Sequence, residues 1–146
     1  MEKEKIKKLA IKIYKKYGTT DPFIIARAKD YVVKKLDMPP RMKGYTFSLN
    51  RIKFIYINSN LTEQEQKITC LHELGHIFCK HDTNRIFTSL NTYFIANKLE
   101  NEADLFMVTM LLNSLEDEDI KKCSLNQLSS QLGVNTSILK LYFFSH

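Results

Sequence analysis

Apolar residues recur at Ile6, Leu9, Ala10, Ile13 and Tyr14 with lysines between them, a stripe that predicts a helix over residues 3–17. Gly18 stands where a left-handed residue would end it. Asp21 followed by Pro22 reads as the cap and first position of a short helix reaching about residue 28. The period then changes from helical to alternating. Runs of β-branched and aromatic residues at 31–36, 45–49 and 52–58, the last two separated by Asn50 and Arg51, predict a small antiparallel meander of about three strands. In the third run Ile52, Phe54 and Tyr56 share one face, and Ile55 and Ile57 the other. Thr62 and Glu65 have the spacing of a capping box, so a long helix is expected over about residues 61–80. Residues 82–95 show no period and predict a surface loop, after which a second long helix is expected over 96–112. Four acidic residues, Glu116–Asp119, separate it from a tail in which Ser124 and Gln127 cap one helix, Gly133 stops it and residues 136–144 form another. The expected organisation is α+β: a main domain over 1–115 and a short helical appendage over 116–146.

With 146 residues, 44% of them hydrophobic, the chain is long enough for one domain with a core and too short for two of full size. The charged start, Met1 to Lys8, does not resemble a signal peptide, and no apolar run approaches the length that spans a bilayer. Cys70, Cys79 and Cys123 make an odd set with no framework spacing, which suits a reducing cytoplasm. The net charge of +6 is weighted towards the first 43 residues, on what the pattern reads as a solvated helix face, so it does not by itself demand a nucleic-acid partner.

The chemistry concentrates in Leu71-His72-Glu73-Leu74-Gly75-His76. Four residues apart on a helix, His72 and His76 project from one face and can grip one ion, with Glu73 beside them to take a proton from water held there. A hydrolytic zinc site needs a third protein ligand and an open position. His81 fails the metzincin spacing, which requires glycine at 79 and histidine at 82, where this chain has Cys79 and Asp82. Glu100 serves better, because Glu100 and Asp104 lie one turn apart on the second long helix. Glu100 would ligate the metal while Asp104 accepts a hydrogen bond from the non-ligating nitrogen of His72 or His76. Glu102 is the rival ligand, but it points about 160° from Asp104 and is expected to face solvent. Cys79, on the histidine face, is expected to be a buried small hydrophobe. Tyr45, Tyr56, Tyr93 and His81 are all candidates to stabilise an oxyanion, and the strand over 52–57 is a candidate edge for an extended peptide.

The Glu-x-x-x-Asp helix following a His-Glu-x-x-His helix resembles the gluzincin metallopeptidases. More specifically, Asp21-Pro22-Phe23-Ile24-Ile25-Ala26, Lys43-Gly44-Tyr45, Ile55 to Leu61 leading into His72–His76, and Glu100 to Phe106 resemble the ImmA/IrrE metallopeptidases over most of residues 20–112. The chain departs from that pattern at Asp104, where the family more often has asparagine, and at Met107, where a small residue is usual. The resemblance implies a small sheet packed on zincin-type helices, one zinc ion held by His72, His76 and Glu100, and Glu73 as general base. It further implies a cytoplasmic, site-specific metalloendopeptidase that cuts a helix-turn-helix repressor of a mobile element, prophage or stress circuit. A competing function is a DNA-binding or repressor-binding regulator with a structural or vestigial metal site, since residues 125–142 have helix-turn-helix spacing with Ser129 and Gly133 at the turn. Its second helix offers Thr136, Ser137 and one cation, Lys140, which is thin for phosphate contacts, so direct DNA binding is not expected.

Overall fold

The computed structural model describes residues 1–82 and 92–144, with residues 92–96 described by their backbone alone. Helix α1 (Lys3–Tyr17) ends as the glycine signal requires: Gly18 takes φ 66° and donates its N–H to the Tyr14 carbonyl. Helix α2 (Pro22–Ala28) begins where the Asp21 side chain accepts from the Phe23 N–H at 2.9 Å. Strands β1 (Val32–Leu36), β2 (Gly44–Leu49) and β3 (Ile52–Asn58) follow. Helix α3 (Glu63–Phe78) carries the histidine motif, and helix α4 (Thr92–Asn113) carries Glu100 and Asp104. The acidic stretch is not merely a separator: Asp117–Lys122 form helix α5, with acids in the first turn and lysines in the last, each sign at the dipole end it favours. Helices α6 (Leu125–Leu132) and α7 (Thr136–Phe143) complete the described chain. No helix among the described residues is long and apolar enough to cross a membrane.

The described residues hold three strands, but these do not form an antiparallel meander. Their order is β1-β3-β2, with β3 antiparallel to β2 and parallel to β1. Asn58 accounts for the difference. Its buried side chain donates to the carbonyls of Met38, Pro39 and Met42 and accepts from the Met38 N–H, so residues 37–43 wrap around it. The chain therefore leaves β1 beside Asn58, rounds the end of β3 and re-enters on the far side as β2, whose Gly44 pairs with Ile57. Asn50 and Arg51 close the β2–β3 hairpin with φ of 51° and 67°, the left-handed pair that matches strand twist. Central β3 has both edges paired, so it cannot receive an extended peptide, and among the described residues β2 is an outer strand of the sheet.

Alternation along the strands sorts the two faces as expected. Ile55 and Ile57 are wholly buried, with the sheet resting on α3, whereas Tyr45, Phe47, Phe54 and Tyr56 cluster on the opposite face. The core joins Ile6, Ala10 and Ile13 of α1 to Cys70, Leu71 and Leu74 of α3 and Leu105, Phe106 and Met110 of α4. Leu128, Leu132, Val134 and Leu139 belong to the same cluster, and α7 lies against α4. Gly75 lets α3 approach α4 closely, for a Cβ there would lie 2.9 Å from the Ala103 carbonyl oxygen.

The first turn of α3 is held by a reciprocal cap: Thr62 accepts from the Glu65 N–H at 3.2 Å while Glu65 accepts from the Thr62 N–H at 3.3 Å. Thr62→Ala is expected to cost about 1 kcal/mol, the usual worth of such a cap, read as a lowered denaturation midpoint at unchanged slope. An unchanged midpoint would show that packing alone holds the turn.

Candidate metal centre

His72, Glu73 and His76 all lie within helix α3, and their ligand atoms lie within 4.8 Å of one another. Opposite them, Glu100 reaches both rings. Its Oε2 is 2.8 Å from His72 Nε2, and its Oε1 is 2.8 Å from His76 Nε2. Asp104, one turn further along α4, accepts from His72 Nδ1 at 2.8 Å. The i, i+4 spacing on α4 thus sets one carboxylate before the two Nε2 atoms and the other behind His72.

Charge and burial tune these groups. Burial pulls the His72 imidazolium down, but hydrogen bonds to Asp104 and Glu100, with the charges of Asp104 and Glu73, overcome it and lift the pKa to about 10. Burial works to raise Glu100, yet its hydrogen bonds to the two histidines and their charge hold the carboxyl well below the usual carboxylate range. Glu73 shifts upward, chiefly through burial, with the histidine charges opposing. Two neighbouring carboxylates are thereby driven apart, one kept ionised and the other made a better proton acceptor, the division that acid–base chemistry needs.

Residues 26–134 match the profile of the IrrE N-terminal-like domain, a peptidase family. The chain belongs to this family. The match runs past the expected limit at residue 112 and takes in α6. A protein described as "Uncharacterized immunity region protein 2", from Bacillus phage phi105, is 35% identical over 107 residues, which are 73% of this chain and 68% of the relative. The IrrE-like chain therefore carries its histidine motif and its Glu100–Asp104 pair inside the segment that defines the family.

In this IrrE-like fold a cleft of about 360 Å³ opens over His72, Glu73, Glu100 and Asp104. Lys43 and Gly44 of the β2 side form one wall, and Ile68, Met107 and Ile138 give another an apolar lining. Tyr45 and Tyr56 pack edge to face at 5.4 Å on the sheet face turned away from α3 and do not line the cleft. The Tyr93 side chain falls outside the described residues. Cys79 is buried, as expected, and its thiol is pushed up to about 12 by burial and the Glu102 charge, so it stays protonated.

His81 and Glu102 correct the sequence-based expectation most. His81 stands behind His76, their Nδ1 atoms 2.8 Å apart, and its Nε2 donates to Glu102 Oε1 at 3.1 Å. Glu102 is buried, not solvent-facing, and its Oε2 lies 3.3 Å from the Met1 amino group. Burial lowers the His81 pKa against the pull of Glu102. A helical wheel of α4 alone cannot reveal this, because the start of α1 and the turn after α3 cover that flank. Only Lys80, whose φ of 61° folds His81 back so that its N–H meets the His76 carbonyl, betrays the reversal, and lysine is no signal for it.

Proposed function

We propose that this chain is a zinc-dependent endopeptidase that cuts a helix-turn-helix repressor, with His72, His76 and Glu100 holding the metal and Glu73 as general base. The observation that carries the proposal is the convergence of two Nε2 atoms on one carboxylate at 2.8 Å each. The donor set fits zinc: two imidazole nitrogens and one carboxylate leave a fourth position open. The proton count fits as well. In contact with both Glu100 and Asp104, His72 needs a proton on each nitrogen, whereas with a cation at Nε2 the neutral ring's single proton sits on Nδ1 and satisfies Asp104. When bound, zinc would polarise the scissile carbonyl and lower the pKa of a coordinated water to about 7.

Glu73, buried and beside the two histidines, would take a proton on its carboxylate and return it to the departing amine. Ile68, Met107 and Ile138 along the cleft would receive an apolar side chain of the substrate. Support for a repressor substrate comes from the immunity-region description of the phage relative. The DNA-binding alternative fares less well, since α7 spends Leu139 on the core and leaves Ser137 and Lys140 as exposed residues of its outer face. Incubating the full chain with any helix-turn-helix repressor found encoded beside its gene should yield two discrete fragments, and a chelator should stop the cut. An intact repressor in the presence of the zinc-loaded protein would count against the assignment.

A further inference from the structure

His76 is held from behind by a second imidazole rather than by a carboxylate or a backbone carbonyl, and that imidazole is in turn held by a carboxylate. The groups run in one line: Glu100 Oε1 to His76 Nε2 at 2.8 Å, His76 Nδ1 to His81 Nδ1 at 2.8 Å, and His81 Nε2 to Glu102 Oε1 at 3.1 Å. His76 and Glu102 are buried and the His81 ring is largely covered, the side chains being 2%, 9% and 4% exposed. Each of the three contacts needs one proton between its two heavy atoms, but two neutral imidazoles carry only two. A cation at His76 Nε2 removes the need for one of them. The remaining two protons then have a single arrangement: His76 Nδ1–H donates to His81 Nδ1, and His81 Nε2–H donates to Glu102.

We propose that His81 and Glu102 form a positioning relay that fixes the ring plane and tautomer of His76, presenting its Nε2 lone pair to the metal. The inference rests on the metal-binding assignment of His72, His76 and Glu100, and it gives the second histidine a support different in kind from the first. Asp104 holds His72 directly, whereas Glu102 acts on His76 through one intervening ring. Neither His81 nor Glu102 is among the residues that line the cleft. The relay also explains why a carboxylate is buried on the flank of α4 away from the cleft, and why the chain reverses at Lys80.

The test uses the full chain. Zinc affinity measured by competition with a chromogenic chelator is expected to weaken about 10–100-fold in His81→Leu, the range for losing a partner behind a metal-binding histidine. His81→Asn should recover most of the loss, because its side-chain oxygen can still accept from His76 Nδ1–H. Glu102→Gln should fall between the two. In the zinc-loaded wild type, nitrogen-15 spectra of the imidazoles should place the His81 proton on Nε2; this readout needs no variant to fold. A His81 proton on Nδ1, or equal zinc affinity in wild type and His81→Leu, overturns the relay. Failure of the wild type itself to take up zinc overturns the metal assignment, and the relay with it.

Discussion

Glu73→Gln is expected to keep one zinc per chain and to lose at least about a hundredfold in the rate of repressor cleavage, the lower end of what a general base contributes. The amide preserves the volume and the polar contacts of the carboxylate but cannot take up a proton. It leaves untouched the three groups that would hold the metal, since the Glu100 contacts run to His72 and His76 and not to residue 73. Elemental analysis beside a cleavage assay separates the two effects. Cleavage near the wild-type rate would remove Glu73 from the chemistry, and loss of zinc would make it a ligand instead.

The second large effect belongs to Glu100. Glu100→Ala deletes the anion on which both rings converge, so dialysed protein is expected to carry well under one zinc per chain, whereas Asp104→Asn retains it. The contrast follows from what each carboxylate touches. Glu100 meets both Nε2 atoms, while Asp104 meets only Nδ1 of His72 from behind. An asparagine oxygen can still accept that N–H, so affinity should fall by less than the roughly 10–100-fold lost when such a partner disappears. Full metal content in Glu100→Ala would return the third ligand to the list of open questions and would point first to Glu73, whose carboxylate lies in the same cluster.

The parts of this site that can be read from the chain are those governed by position on one helix. The His72–His76 and Glu100–Asp104 spacings each fix a face, and the Thr62–Glu65 cap guarantees that the first of them is helical. What escapes is whatever depends on how elements meet. Alternating residues look alike in parallel and antiparallel pairs, so the parallel β1–β3 pairing was hidden, and with it the central place of β3. The role of Asn58 in steering that connection has no local signature. Glu102 appeared exposed because its own helix says nothing about the α1 start and the Lys80 reversal that bury it. Tyr45 and Tyr56 illustrate the reverse error, being plausible by chemistry but placed by strand parity on the wrong face.

The close passage of α3 over Ala103 bears on how the motif itself should be written. In the string His-Glu-x-x-His the two unnamed positions look interchangeable, yet in this chain the second is under a steric veto: the nearest atoms to a methyl at 75 are backbone, which cannot rotate aside. Any larger residue there forces the histidine helix away from the carboxylate helix, and the distance between them is also the span across which one ion must be shared. Surveys of related chains should therefore treat the residue before the second histidine as a gauge of interhelical spacing, with larger residues expected only where a compensating recess appears opposite, at the position of Ala103.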